Sequence, residues 1–138
     1  MIHPAFLSPV EVEILDDELF RVVRPVRYQS AAMPAIIVVP EGFVTDGSSV
    51  PRLPIVYWLY GGRARKAAVI HDFLYQTHIC PKAIADAVFL EAMRLIPDLP
   101  GWARRAMHQG VVLGGQSSYE SGPRRYTVLG NAARAGEM

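Results

Sequence analysis

Arg63-Ala64-Arg65-Lys66-Ala67-Ala68-Val69-Ile70-His71-Asp72-Phe73-Leu74-Tyr75-Gln76-Thr77 is the stretch that decides the fold. It contains no Gly or Pro. Ala67, Ile70 and Leu74, with Ala68 and Phe73 beside them, recur at three- and four-residue spacings, the period of a helix with one apolar face. A second helix is expected from Pro81, a residue suited to a first turn, with Ala83, Ala87, Val88 and Leu90 on its apolar side and Pro97 ending it. The connection between them is only about four residues, which implies an antiparallel helix hairpin. A third helix opens at Pro100-Gly101-Trp102 and runs to Gly114-Gly115. Beyond it lie a turn, Ser121-Gly122-Pro123, and a short candidate strand, Tyr126-Thr127-Val128-Leu129.

Upstream, the period changes from helical to alternating. Val10-Glu11-Val12-Glu13-Ile14 reads as a strand with one wet face, and Asp16-Asp17-Glu18 as a polar turn. Leu19-Phe20-Arg21-Val22-Val23-Arg24 resumes a strand, and Pro25 confines its continuation through Tyr28 to an edge or a bulge. Ala35-Ile36-Ile37-Val38-Val39 is uniformly apolar and reads as a buried central strand, and Pro40-Glu41-Gly42 turns into Phe43-Val44-Thr45. The expected fold is α+β: an antiparallel meander of three to four strands, then the helix hairpin and the third helix. One domain is expected over 1–138, with 1–50 mainly β, 62–115 mainly α and 116–138 an irregular C-terminal extension.

Composition narrows the function. The chain has 138 residues and a mass of 15.3 kDa, with 51% hydrophobic and 20% charged residues, enough apolar material for a core. Lys plus Arg is 14 against 13 for Asp plus Glu, a net charge of +1, which argues against a nucleic-acid-coating protein. The single cysteine, Cys80, excludes an intrachain disulfide and a Cys-rich zinc module. No apolar run reaches the roughly 20 residues of a bilayer span. The first residues lack the basic start and long apolar stretch of a signal peptide, so none is expected.

Two constellations carry chemistry. In the first, His71 and Tyr75 are stacked on one helix face, and Asp72 points about a quarter turn away. Residues equidistant from the hairpin loop face one another, which sets Asp86 opposite His71. Asp86 then orients one ring nitrogen and leaves the other as a base, while Asp72 is available to a cation in an oxygen shell. The competing reading is a buried polar pair that pins two helices. In the second constellation, Gly42-Phe43-Val44-Thr45-Asp46-Gly47-Ser48-Ser49-Val50-Pro51-Arg52, Asp46 is either a turn-closing residue or a further metal ligand. Ser48 and Ser49 offer turn or interface hydroxyls. Ser49 has no surrounding nucleophile elbow, and Arg52 is suited to pairing with an acid.

That second constellation, with Ala68-Val69-Ile70-His71-Asp72-Phe73-Leu74-Tyr75 and Ala85-Asp86-Ala87-Val88-Phe89-Leu90-Glu91-Ala92-Met93, resembles the phage-associated domain of unknown function 1353 family. The resemblance covers about residues 35 to 115. It implies a tailed-phage or prophage protein: a virion component of the tail or its tip, made in the host cytoplasm and contacting other tail proteins in a multi-subunit assembly. The His71-Asp72-x-x-Tyr75 pattern with Asp86 on the partner helix is also similar to secreted phospholipase A2. By that likeness His71 is the base, Asp72 the calcium ligand, Asp86 the orienting carboxylate and Tyr75 a supporting hydroxyl. The chain departs from those disulfide-rich enzymes in its single cysteine, and only Tyr60-Gly61-Gly62 loosely matches their glycine-rich calcium loop. A calcium-dependent hydrolase acting on host envelope lipid or cell wall, with Asp72 facing an open cleft, is the alternative this likeness implies.

Overall fold

A computed structural model describes residues 2–16, 19–45 and 63–120. The fold is α+β, strands first and helices after. The strands are β1 (Ala5–Phe6), β2 (Val12–Ile14), β3 (Phe20–Val22), β4 (Val26–Gln29), β5 (Ile37–Val39) and β6 (Val44–Thr45). The helices are α1 (Arg65–Thr77), α2 (Lys82–Met93), α3 (Gly101–Gly114) and α4 (Gln116–Glu120).

In place of a single meander, the strands form two three-stranded antiparallel sheets, ordered β1-β4-β5 and β2-β3-β6. Pro25 is the cause of the partition. It lies between the end of β3 and the start of β4, so its missing N–H costs no ladder bond, and the chain crosses to a new sheet. There β4 is the central strand, with Val26 and Tyr28 buried and Arg27 exposed. Among the described residues β5 is an edge strand instead of a central one, and its middle residue Val38 is exposed. β1 supplies the opposite edge, where Leu7 N–H donates to the Arg27 carbonyl at 2.8 Å.

α1 keeps the expected face and buries Ala67, Ile70, His71, Leu74 and Tyr75. α2 is turned from its expected face: it buries Ala85, Val88, Phe89, Ala92 and Met93, while Ala83 and Ala87 are exposed and Leu90 is half-buried. His78, at a left-handed φ of 53°, ends α1, and Pro81 in extended conformation leads into α2. α3 buries Ala103, Met107 and Val111 against the hairpin. The 116–138 segment is not irregular throughout, because its first five residues form α4. Tyr119 anchors α4: its ring stacks on His78 with centroids 4.0 Å apart, and its hydroxyl donates to the Cys80 carbonyl at 3.0 Å. The candidate strand at 126–129 lies outside the described residues.

One apolar core joins the two halves, from Val22, Val26, Tyr28, Ile37, Val39 and Phe43 of the strand region to the helix faces above. Polar links fix the same seam. The Tyr28 hydroxyl donates to Glu91 Oε1 at 2.8 Å, and the Ala31 N–H donates to Glu91 Oε2 at 3.0 Å.

Candidate functional site

Helical spacing builds the site in two pairs. α1 presents His71 and Tyr75, α2 presents Lys82 and Asp86, and antiparallel packing brings the pairs face to face. His71 Nε2 lies 2.8 Å from Asp86 Oδ1. The Tyr75 hydroxyl donates to the same oxygen at 2.6 Å, and Lys82 Nζ donates to Oδ2 at 2.8 Å. Lys82 Nζ also donates to the carbonyls of Val111 at 2.9 Å and Val112 at 3.2 Å, in the last turn of α3. A single carboxylate therefore accepts from three side chains of its own protein, the ammonium ties α2 to α3, and the cluster as a whole joins three helices.

These contacts set the protonation states. Burial works against charge on Asp86, but the hydrogen bonds from His71, Lys82 and Tyr75 outweigh it and hold the carboxyl below its ordinary range. Burial lowers the pKa of His71, opposed in part by Asp86. The imidazole is thus neutral, and because it faces a carboxylate its proton sits on Nε2. Burial and then the bond to Asp86 push the Tyr75 phenol far up. Asp86 and Lys82 are the charged pair, and His71 and Tyr75 are neutral donors to it.

This tautomer is the one a general base would need, with Nδ1 unprotonated. Access is the opposing fact. His71 is fully buried, with the rings of Tyr75 and Phe89 at centroid distances of 4.0 and 4.7 Å. A base must reach the proton it removes, and this ring is sealed.

Asp72 does not face an open cleft; it too is fully buried. Its Oδ2 accepts from the Thr45 hydroxyl of β6 and from Gln76 Nε2 at 2.9 Å, one turn along α1. Two donors aimed at one carboxylate oxygen do not make an oxygen shell for calcium. Among the described residues no three His, Cys, Asp or Glu side chains are grouped as metal ligands. Asp46, Ser48, Ser49, Arg52 and Tyr60-Gly61-Gly62 lie outside the described residues.

His71, Tyr75 and Asp86 thus meet as the helix hairpin implied, while Asp72 belongs to a second buried polar group that ties α1 to β6. Lys82, Thr45 and Gln76 are the partners that the sequence pattern did not single out. Lys82 precedes Asp86 by four residues and Gln76 comes four after Asp72, the ordinary helical pairing distance. No local signal marks Thr45, whose contact depends on where the strand region meets α1.

A family model described as "Protein of unknown function (DUF1353)" matches residues 20–111. That match spans more than half of the chain, and the chain belongs to this family. No curated protein and no solved structure matches it.

Proposed function

We propose that the chain is a non-catalytic structural component of a tailed-phage particle, placed in the tail or its tip among other tail proteins, and that its His71–Asp86–Tyr75–Lys82 cluster is a polar lock holding the helices together. The sealed state of the cluster supports the non-catalytic part most directly: the imidazole is fully buried, and both Asp86 oxygens accept from the chain's own donors. The phage setting rests on the motif resemblance in residues 42–52, 68–75 and 85–93.

A phage whose copy of this gene carries a short epitope tag tests the assembly reading. Purified particles are expected to contain the chain in fixed proportion to the tail proteins. Particles that lack it, with the chain left soluble in the lysate, would contradict the proposal.

The neutral Nε2–H tautomer of His71 favours a second reading, a hydrolase acting on host phospholipid or cell wall. His71→Gln separates the two. The structural reading expects lower stability and no His71-dependent hydrolysis of phospholipid vesicles or peptidoglycan. Loss of a measurable hydrolysis in a variant that remains folded would favour the enzyme.

A further inference from the structure

Among the described helices α4 alone buries no residue, and an element with so little burial belongs to the least stable part of a fold. Tyr119 fastens it to the α1–α2 hairpin. Its ring lies flat on the His78 ring and edge-on to Tyr75, the second pair at a centroid distance of 5.2 Å. His78 Nε2 donates to the Tyr119 carbonyl at 2.6 Å, and the Tyr119 hydroxyl donates to the Cys80 carbonyl. Just before α4, Gly115 lies directly on the Tyr75 hydroxyl, where a Cβ would come within 2.7 Å.

Beneath α4 is one flank of the polar cluster. Tyr75 and Asp86 are buried, and Cys80 is only 7% exposed. Burial pushes the Cys80 thiol up, and the nearby Asp86 carboxylate pushes it the same way. Tyr119 touches both Tyr75 and Cys80, and thereby covers this flank from a helix of five residues.

We propose that α4 is a strap over the polar cluster, latched by Tyr119 against His78 and Cys80, and that it swings away at Gly114–Gly115 while α1, α2 and α3 stay folded. Gly114 leaves room for such a swing, since even an added Cβ there would meet nothing within 4 Å. The bonds that join α2 to α3 lie before the hinge, from Lys82 Nζ to the carbonyls of Val111 and Val112, so they survive the opening. Opening brings the Tyr75 ring and the Cys80 thiol to solvent and turns a sealed cluster into an accessible one. A polar lock needs no moving part, so the inference goes beyond the structural reading above, and it does not depend on the phage setting.

Cys80 is the single cysteine of the chain, so its reaction with dithionitrobenzoate reports the strap in the full-length protein. The native thiol is expected to react far more slowly than that of the urea-unfolded chain. Its rate should barely change at low urea, because a strap exposes little surface when it opens. Tyr119→Ala removes a hydrogen bond and two ring contacts and should speed the reaction about tenfold or more, with circular dichroism little changed. Tyr119→Phe loses only the bond to the Cys80 carbonyl and should give a smaller rise. His78→Asn, which suits the left-handed backbone at that position, loosens the same latch from the other side and should also speed the reaction. A native rate that climbs with urea as steeply as global unfolding would overturn the proposal, because Cys80 would then open only with the whole fold. So would a native thiol as reactive as that of the unfolded chain, or Tyr119→Ala and His78→Asn variants that react as the native chain does.

Discussion

Asp86 is the residue on which the polar lock depends. Its removal leaves Lys82, His71 and Tyr75 without their common acceptor in a buried setting, so Asp86→Ala is expected to cost about 3 kcal/mol or more in urea unfolding. Tyr75→Phe removes one donor and keeps the packing, and should cost only about 1 kcal/mol. The pH dependence has a definite sign. His71 has a pKa lowered from 6.5 by burial, so as pH falls the unfolded chain takes up that proton first. Its contribution is complete above that value and declines below it, with His108, lowered for the same reason, acting in the same direction. Asp86, lowered from 3.8, contributes above that value and is lost as pH falls through its folded pKa. Tyr28 and Tyr75 are both raised from 10.0, and their contribution is lost in alkali. Urea midpoints across pH should therefore fall at both extremes, and His71→Gln should flatten the decline just below neutrality. A flat profile in the native chain would contradict the account.

Among the elements, the corner between α3 and α4 is the most constrained. A Cβ on Gly115 would lie 2.5 Å from the Val111 carbonyl oxygen and 2.7 Å from the Tyr75 hydroxyl, whereas one on Gly114 would meet nothing within 4 Å. Gly115→Ala is therefore expected to destabilise by about 1–3 kcal/mol and to raise hydrogen exchange in α4. Gly114→Ala, in the last turn of α3, should be neutral or stabilising by up to about 1 kcal/mol. Equal effects of the two would show that the corner is not packed as described. The helices are legible in the sequence because their apolar spacing is long and uninterrupted. The strands are legible only as strands: a three-residue element such as β5 has too little pattern to say whether its neighbours lie on one side or both. Pro25 is legible as an interruption. The pairing of β4 beyond it depends on β1, whose two residues carry no periodic signal.

For the molecule as a whole, the seam between sheet and helices decides whether it unfolds as one unit. Glu91 accepts from both Tyr28 and the Ala31 backbone, so Glu91→Ala should cost about 1–3 kcal/mol. Far-ultraviolet circular dichroism and tyrosine fluorescence should still report a single transition, because the apolar core is shared by both halves. The meeting of His71 with Asp86 is legible from loop length and helix direction alone. The burial of Asp72 is not, since it depends on how the strand region is set against α1, and sequence spacing says nothing of that. The central claim is that the imidazole is a sealed, neutral donor to Asp86. Nitrogen-15 NMR of the His71 ring tests it most directly. The sealed ring should show an Nε2–H that exchanges slowly with water, and should still be neutral where an ordinary histidine, at 6.5, is half protonated. A ring that titrates with a midpoint near the ordinary histidine value of 6.5, its N–H exchanging freely with solvent, would contradict it.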